Sequence, residues 1–240
     1  GTTARGDVLI GADGIKSAVR AQMHGMEPAN YTGNVAWRVM VPVENLPPNF
    51  QPPIFVNWMG PDKHMVVYWV NAGKLLNFVG CVEKPEWTQE GWAIRAPWED
   101  LKADFAGFHP DVQTMIDAAD RDKCFCWALN NRPRLNFWST ARVTLLGDSA
   151  HPTLPYMAQG AVMAIEDAAV LMRSFDEFDD LAAGLKAYEK ARIDRTARIV
   201  EESTEHARLF HFQSHQEFRE AFARKLQPDR MVTVIVGGQP

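Results

Sequence analysis

The sequence has no excess of basic charge. Its 25 Lys and Arg residues stand against 30 Asp and Glu, for a net charge of −5, so it carries no basic footprint for nucleic acid. No apolar run approaches the ~20 residues of a membrane span, and no secretory leader pattern is visible. Only three cysteines occur, Cys81, Cys124 and Cys126. Cys124 and Cys126 lie two apart, which places them on one face of a strand and does not match zinc-ligand spacing, so no metal site is expected. Read as reduced thiols, the three fit a cytoplasmic protein. There is no G-x-G-x-x-G phosphate loop either; Gly11 to Gly14 reads GADG. What remains is an ordinary globular composition, 46% hydrophobic and 23% charged, long enough for one large domain or two small ones.

The most informative stretch is Arg142 to Leu171. Val143 to Leu146 reads as a short buried strand, and Gly147-Asp148 stops it. A loop punctuated by Pro152 and Pro155 follows. Ala161, Ile165, Ala168, Ala169 and Met172 then recur at helical spacing, as the apolar stripe of an amphipathic helix. In open α/β sheets, ligands sit beyond the carboxyl ends of strands, which is where Asp148 falls. Its carboxylate can accept from ligand hydroxyls, Gly147 lets backbone come close to a ligand, and the amides of Gly160 and Ala161 open a helix N-terminus that favours negative charge. The alternative is a plain strand-loop-helix corner with Asp148 capping the turn.

Asp7 to Gly11 reads as a second buried strand, ended by Asp13-Gly14 and followed by a short helix with Ile15, Val19 and Met23 on one side. Asp13 occupies a strand end like Asp148, or else caps the helix. Arg20 serves a phosphate or the dinucleotide partner, or else sits on a solvated helix face. Between residues 34 and 84, strand-like runs at Val35–Pro42, Pro53–Met59, Lys63–Asn71 and Leu75–Glu83 are separated by turn signals, and the spacing predicts an antiparallel meander. Such a sheet can roof a ligand with one face. His64 and Tyr68 are four apart and share a face, with Phe55, Trp58 and Trp69 adding aromatic bulk. An imidazole and a phenol there could orient a phenolic substrate and take its proton; the alternative has His64 at the surface of an edge strand and Tyr68 merely packed. Trp87, Trp92 and Trp98 read as core plugs, Trp98–Phe105 and Asp111–Ala118 as helical patches, and Lys123 to Asn131 as a returning strand. A long helical pattern covers Leu181 to His211. His211 and His215, four apart and without the Glu of an HExxH motif, read as a solvated face. The tail MVTVIVGGQP is strand-like.

GDSAHPTLPYMAQGAVMAIEDAAVL resembles the second FAD motif of the single-component flavoprotein aromatic hydroxylases, which include the salicylate, hydroxybenzoate and 6-hydroxynicotinate hydroxylases. DVLIGADGIKSAVR, from Asp7 to Arg20, resembles the Asp-Gly motif of the same family, assigned there to both FAD and NAD(P)H. The resemblance runs from about Asp7 to Arg195. It implies an α/β (α+β) fold: a partial Rossmann-like FAD-binding domain at 1–30 and 131–177, an inserted antiparallel substrate sheet at 31–130, and a C-terminal helical region at 178–240. It implies cofactor contacts at Asp13, Gly14, Arg20, Gly147, Asp148, Pro155, Gly160, Ala161 and Val162. Substrate contacts fall at Phe55, Pro155, Tyr156 and Met157, with His64 and Tyr68 in catalysis, His151 supporting its loop, and Arg192 and Arg195 structural. In the implied reaction NAD(P)H (NADH or NADPH) reduces FAD, O2 adds to give a flavin C4a-hydroperoxide, and a small aromatic acid, phenolic or hydroxy-N-heteroaromatic, is hydroxylated in aromatic catabolism. The partners implied are that substrate and O2, with no nucleic acid and no membrane, and a homodimer is allowed. The family's N-terminal G-x-G-x-x-G unit should precede this stretch, so the 240 residues alone are expected not to retain FAD. An FAD-dependent oxidoreductase of the same fold without hydroxylase activity, or an inactive fragment unable to hold FAD, stays open.

Overall fold

In a computed structural model, which describes residues 2–50, 55–87, 91 and 94–225, the chain divides into two units. Unit 1 comprises residues 1–30 and 130–207, and unit 2 comprises 31–129 and 208–240.

Unit 2 is built on a five-stranded sheet. Its strands are β2 (Asn30–Pro42), β3 (Phe55–Gly60), β4 (Lys63–Val70), β5 (Leu75–Glu83) and β6 (Phe125–Asn131). The order is β3-β4-β5-β2-β6. The expected meander therefore holds for β3, β4 and β5 only; β2 crosses over to pair antiparallel with β5, from Asn34 opposite Glu83 to Pro42 opposite Leu75. Alternation explains why these runs are strands. Val35, Trp37, Val39 and Val41 of β2, Met65 and Val67 of β4, and Leu76, Phe78 and Val82 of β5 all point to one face and are buried. Helices α2 (Trp98–Asp104) and α3 (Pro110–Asp117) supply Leu101, Val112, Met115 and Ile116 to the same core, together with Phe105 just past α2. Pro110 opens α3, where its missing N–H costs nothing, behind a cap from His109. Gly80 is needed for this packing: a Cβ there would stand 2.5 Å from the Phe105 ring, which meets Phe78 edge-on at 5.6 Å. Trp87 and Trp98 pack against this core as expected, while Trp92 and the start of the Pro53–Met59 run lie outside the described residues. So does the 231–240 tail. Cys81, Cys124 and Cys126 are buried and unpaired, and burial pushes each thiol up to about 12.

Unit 1 holds β1 (Leu9–Gly11) and β7 (Val143–Leu145), paired in parallel, with helices α1 (Ala18–His24), α4 (Gly160–Glu177) and most of α5 (Leu181–Phe210). Its core gathers Leu135, Trp138, Leu145, Leu171, Leu185 and Tyr188, each worth about 1.5–3 kcal/mol on full burial. The Tyr188 hydroxyl donates to the Leu145 carbonyl at 3.0 Å, tying α5 to β7.

Two expectations fail in this unit. The strand around Asp7 to Gly11 is not buried along its length: Leu9 is 50% and Ile10 43% exposed, where β1 has β7 as its only described strand neighbour, and only Gly11 is covered, close to Val19 and Leu145. The apolar stripe of α4 is not its inner face. Ile165 and Met172 are 71% and 60% exposed, and Ala161, Ala168 and Ala169 are exposed beside them. The buried side carries Met163, Asp167, Leu171 and Ser174 instead. The reason is electrostatic: Asp167 is held inward by partners in its own unit.

A third expectation fails after α5. His211 is not on a helix face in solvent. It lies between α5 and α6 (His215–Lys225), where α5 has ended, and it is buried. Ser214 breaks the pattern, because its Oγ accepts from the Glu217 amide at 3.2 Å and starts α6. Among the described residues, no helix is long and apolar enough to cross a membrane.

Candidate functional site

In unit 1 the chemistry gathers where β7 ends. Gly147 turns the chain with φ of +65°, a left-handed conformation that glycine adopts without steric cost. It also packs close: a Cβ would stand 3.2 Å from that of Ala164 on α4. The Gly147 amide donates to Asp167 Oδ2 at 3.0 Å. The same oxygen lies 2.6 Å from His151 Nε2, and Asp167 Oδ1 accepts from Arg192 Nε at 2.7 Å. Asp167 is thus a fully buried carboxylate that joins the loop, α4 and α5. Burial pushes its pKa up, but the hydrogen bonds from His151, Arg192 and Gly147 outweigh that and hold it below the ordinary value. Arg192 also pairs with Glu166 at 2.8 Å, and Arg195 grips Glu166 through two bonds at 2.9 and 2.8 Å. Both arginines are structural, and His151 braces its loop.

Asp148 stands apart from this network. It sits one residue past Gly147 and reaches solvent, and no hydrogen-bond partner for its carboxylate is found among the described residues. Crowding by protein atoms raises its pKa, and the nearby His151 offsets part of the rise. The turn-capping alternative does not hold, since the short turn at 147–149 is capped without it. Further along, Pro155 is exposed and its carbonyl accepts from the Ala158 amide at 3.0 Å. Tyr156 is buried and Met157 half-buried. Helix α4 then starts at Gly160 with no side-chain cap on Gln159. The Met163 amide is the first of the helix to find an acceptor, Gln159 O at 2.8 Å, so among the described residues the amides of Gly160, Ala161 and Val162 are open donors on a positive helix end.

The other motif behaves differently. Asp13 is a helix cap: it accepts from the amides of Ala18 at 2.7 Å and Val19 at 3.2 Å and from the Ser17 hydroxyl. Burial pushes its pKa up, and those hydrogen bonds together outweigh it and bring the carboxyl below its ordinary value. Gly14 turns the chain ahead of it with φ of +78°. Arg20 is buried, which excludes the solvated-face alternative, and its guanidinium donates to the carbonyls of Ser149, Ala150 and Pro133 and pairs with Glu27 at 3.3 Å. It is a strut beneath the Asp148 turn, not an open phosphate ligand.

In unit 2 the sheet face opposite the core carries the other group of residues. Register puts Phe55, Tyr68, Asn77 and Met40 in one row across four strands. Phe55 is 60% and Tyr68 37% exposed. Asn77 is buried; its Oδ1 accepts from Arg38 Nε at 3.2 Å, and its Nδ2 has no partner among the described residues. His64 shares this face but not this exposure. It lies on an inner strand, 2% exposed, so the edge-strand alternative does not hold. Its Nδ1 is 2.7 Å from His211 Nε2, and burial together with that neighbour holds its pKa well below the usual imidazole value.

Sequence reasoning missed Asp167, Asn77 with Arg38, and the partners of His64. A carboxylate inside an Ala-rich helix was the available signal for Asp167, and Ser-x-x-Glu at 214–217 was the signal that the helix had restarted beyond His211.

Comparison with known proteins gives three kinds of match. A family model described as FAD binding domain matches residues 1–203. A 3-amino-4-hydroxybenzoate 2-monooxygenase of Streptomyces platensis is 38% identical over 212 residues, covering 88% of this chain and 53% of that protein. A 6-hydroxynicotinate 3-monooxygenase of Bordetella bronchiseptica is 37% identical over 202 residues, covering 83% and 52%. Among solved structures, Klebsiella pneumoniae HpxO complexed with FAD and uric acid is similar with a TM-score of 0.77 at 32% identity, covering 94% of this chain and 57% of that one. The chain spans about half the length of the curated relatives it matches.

Proposed function

Because this chain belongs to the FAD binding domain family, we propose that its protein is an FAD-dependent monooxygenase that hydroxylates a small aromatic acid. The observation that carries this reading is the turn after β7. A carboxylate with no partner among the described residues, Asp148, and three amides at the start of α4 likewise without one lie on one strand-loop-helix segment. That donor and acceptor set fits FAD: the carboxylate for ribityl or ribose hydroxyls, the amides for the negative edge of the reduced ring. When bound, FAD supplies the activation of O2, with electrons from NADH or NADPH.

The chain's own residues then have these tasks. Asp167 holds the Gly147 turn and His151 so that Asp148 is presented correctly. Arg20 braces the same turn from below. In unit 2, Phe55 and Tyr68 pack the substrate ring, while Arg38 and Asn77 suit an acidic substituent. His64 accepts the proton of the substrate hydroxyl, since a phenolate ring is the better nucleophile and a neutral imidazole is the base suited to neutral pH. Relatives named for amino-hydroxybenzoate and hydroxynicotinate substrates support a ring that bears both a hydroxyl and an acid.

The test uses His64→Ala and Tyr68→Phe in the full-length protein. Substrate binding is followed by flavin absorbance, and hydroxylation by stopped flow. We expect FAD to stay bound and hydroxylation to fall, by about 10²–10⁴-fold where a proton acceptor is lost. Wild-type binding and hydroxylation in both variants would remove this sheet face from the substrate site.

A further inference from the structure

Three polar side chains on the outer face of the unit 2 sheet have incomplete bonding among the described residues. Asn77 of β5 is 1% exposed, and its Nδ2 has no partner there. Its Oδ1 accepts from Arg38 Nε at 3.2 Å, and Arg38 itself is exposed. Asn57 of β3 has a buried Oδ1 without a partner. Alternation puts all three on this face, because their strand neighbours Trp37, Val39, Leu76, Phe78, Val56 and Trp58 pack on the core.

The bond from Arg38 sets the direction of the Asn77 amide. A guanidinium has donors only, so the amide oxygen must face Arg38 and the NH2 must face away from it. A buried neutral donor and an exposed cation therefore stand side by side. Both are completed by one ligand group, a carboxylate, whose two oxygens accept from both. Leaving a buried donor unpaired is costly, so the ligand that supplies its acceptor is favoured. The acid on this face of β5, Glu83, stands at the far end of the strand and does not compete. In register Asn77 lies between Tyr68 of β4 and Met40 of β2, so an aromatic ring fits against the same row.

Asn57 sets a distance. It stands opposite Val66, and Val66 opposite Val79, so it lies two strands across the sheet from Asn77 and two residues along it. With strands about 4.8 Å apart and residues about 3.4 Å apart, the two backbone positions are about 12 Å apart. Two hydrogen bonds of about 2.9 Å then leave about 6 Å between the polar atoms of a ligand that bridges the two amides. A carboxyl and a hydroxyl para to each other on one benzene ring span that gap, and ortho substituents fall short. We propose that Arg38, Asn77 and Asn57 determine specificity: Arg38 and Asn77 bind the substrate carboxylate, and Asn57 binds a hydroxyl para to it. This rests on the reading of the outer sheet face as the substrate site. Asn57 is also a diagonal neighbour of His64 across β3 and β4, within reach of long side chains, which puts the held hydroxyl on the side of the base.

The experiment measures equilibrium binding to the FAD-loaded full-length protein, by calorimetry, of 4-hydroxybenzoate, 2-hydroxybenzoate, benzoate and 4-hydroxybenzamide. Wild type should bind 4-hydroxybenzoate most tightly, with 4-hydroxybenzamide weaker by about 10- to 100-fold, the effect of a charge-assisted hydrogen bond. Arg38→Gln and Asn77→Leu should weaken 4-hydroxybenzoate by a similar factor and leave 4-hydroxybenzamide within about two-fold. Arg38→Gln changes an exposed residue, so it reports even if Asn77→Leu fails to fold. Asn57→Leu should weaken 4-hydroxybenzoate by about 2- to 10-fold and leave benzoate unchanged. Equal losses of acid and amide in Arg38→Gln overturn the carboxylate anchor, because a merely structural role would behave so. A wild-type preference for 2-hydroxybenzoate, or an Asn57→Leu loss shared by benzoate, overturns the para spacing. The predicted binding pattern without hydroxylation of any probe would instead remove the proposed reaction and leave the anchor standing, whereas hydroxylation of 4-hydroxybenzoate with wild-type affinity in Arg38→Gln would remove the anchor and leave the reaction.

Discussion

Asp167→Asn is the sharpest single perturbation of the cofactor loop. The wild-type carboxylate faces donors on both sides: Arg192 Nε at 2.7 Å on one oxygen, and the Gly147 amide at 3.0 Å with His151 Nε2 at 2.6 Å on the other. An amide can keep one acceptor oxygen. Its NH2 must then face either Arg192 or the Gly147 amide, donor against donor. His151 cannot relieve this by changing tautomer without cost, since its Nδ1 is buried with no partner among the described residues. Arg192 is buried and retains Glu166, which limits the damage but does not neutralise it. Removing one member of a buried ion pair costs about 3–5 kcal/mol, and at about 2–4 °C per kcal/mol the melting temperature should fall by about 6–20 °C. The assay is thermal unfolding of the full-length protein with and without added FAD, with FAD retention after gel filtration alongside. We expect both stability and FAD affinity to drop, because the Gly147 turn that presents Asp148 loses its anchor. A melting temperature within about 2 °C of wild type would refute the reasoning, since it would mean less than about 1 kcal/mol rests on the carboxylate.

Two other outcomes follow from the same contacts. Asp148→Ala should lose FAD by about ten- to a hundred-fold in affinity, the effect of one charge-assisted hydrogen bond, with little change in apo-protein melting, whereas Asp13→Ala should lower melting by removing a cap worth about 0.5–2 kcal/mol and leave FAD affinity closer to wild type; equilibrium FAD titration and thermal melts separate the two. Glu166 is pulled down to about 2 by Arg195 and Arg192, and Asp167 is also lowered, so their contribution is present above the ordinary carboxyl range and lost as pH falls through the folded values; melts between about pH 5 and pH 2 should steepen in wild type and flatten in Glu166→Gln.

The parts of the fold that were legible are those where period and punctuation agree. In unit 2, Val35, Trp37, Val39 and Val41 alternate and end at Pro42, and Pro110 marks the start of α3, so strands and helices could be placed within a few residues. Pairing could not: nothing in the local pattern of β2 says that it lies beside β5. Helix α4 misled for a physical reason. Its Ala-rich stripe has apolar periodicity, but the inward face is set by Asp167, whose partners Arg192 and His151 are distant in sequence. The position of Asp148 was legible, because a glycine-ended strand places the next carboxylate at the strand end, and among the described residues it has no hydrogen-bond partner. Asp13, with the same sequence signature, is consumed by the helix that follows it. His211 was misread because a helical period runs through a Ser-x-x-Glu restart.

The measurement that tests the central claim most directly is oxygen-isotope incorporation. The full-length protein, loaded with FAD, is supplied with NADH or NADPH, a panel of hydroxybenzoates and hydroxynicotinates, and 18O2. The account predicts at least one substrate that yields a ring-hydroxylated product carrying one 18O atom, with consumption of the reduced nicotinamide matching product formation. Oxidation of the reduced nicotinamide that yields hydrogen peroxide and no labelled product across the panel would contradict it.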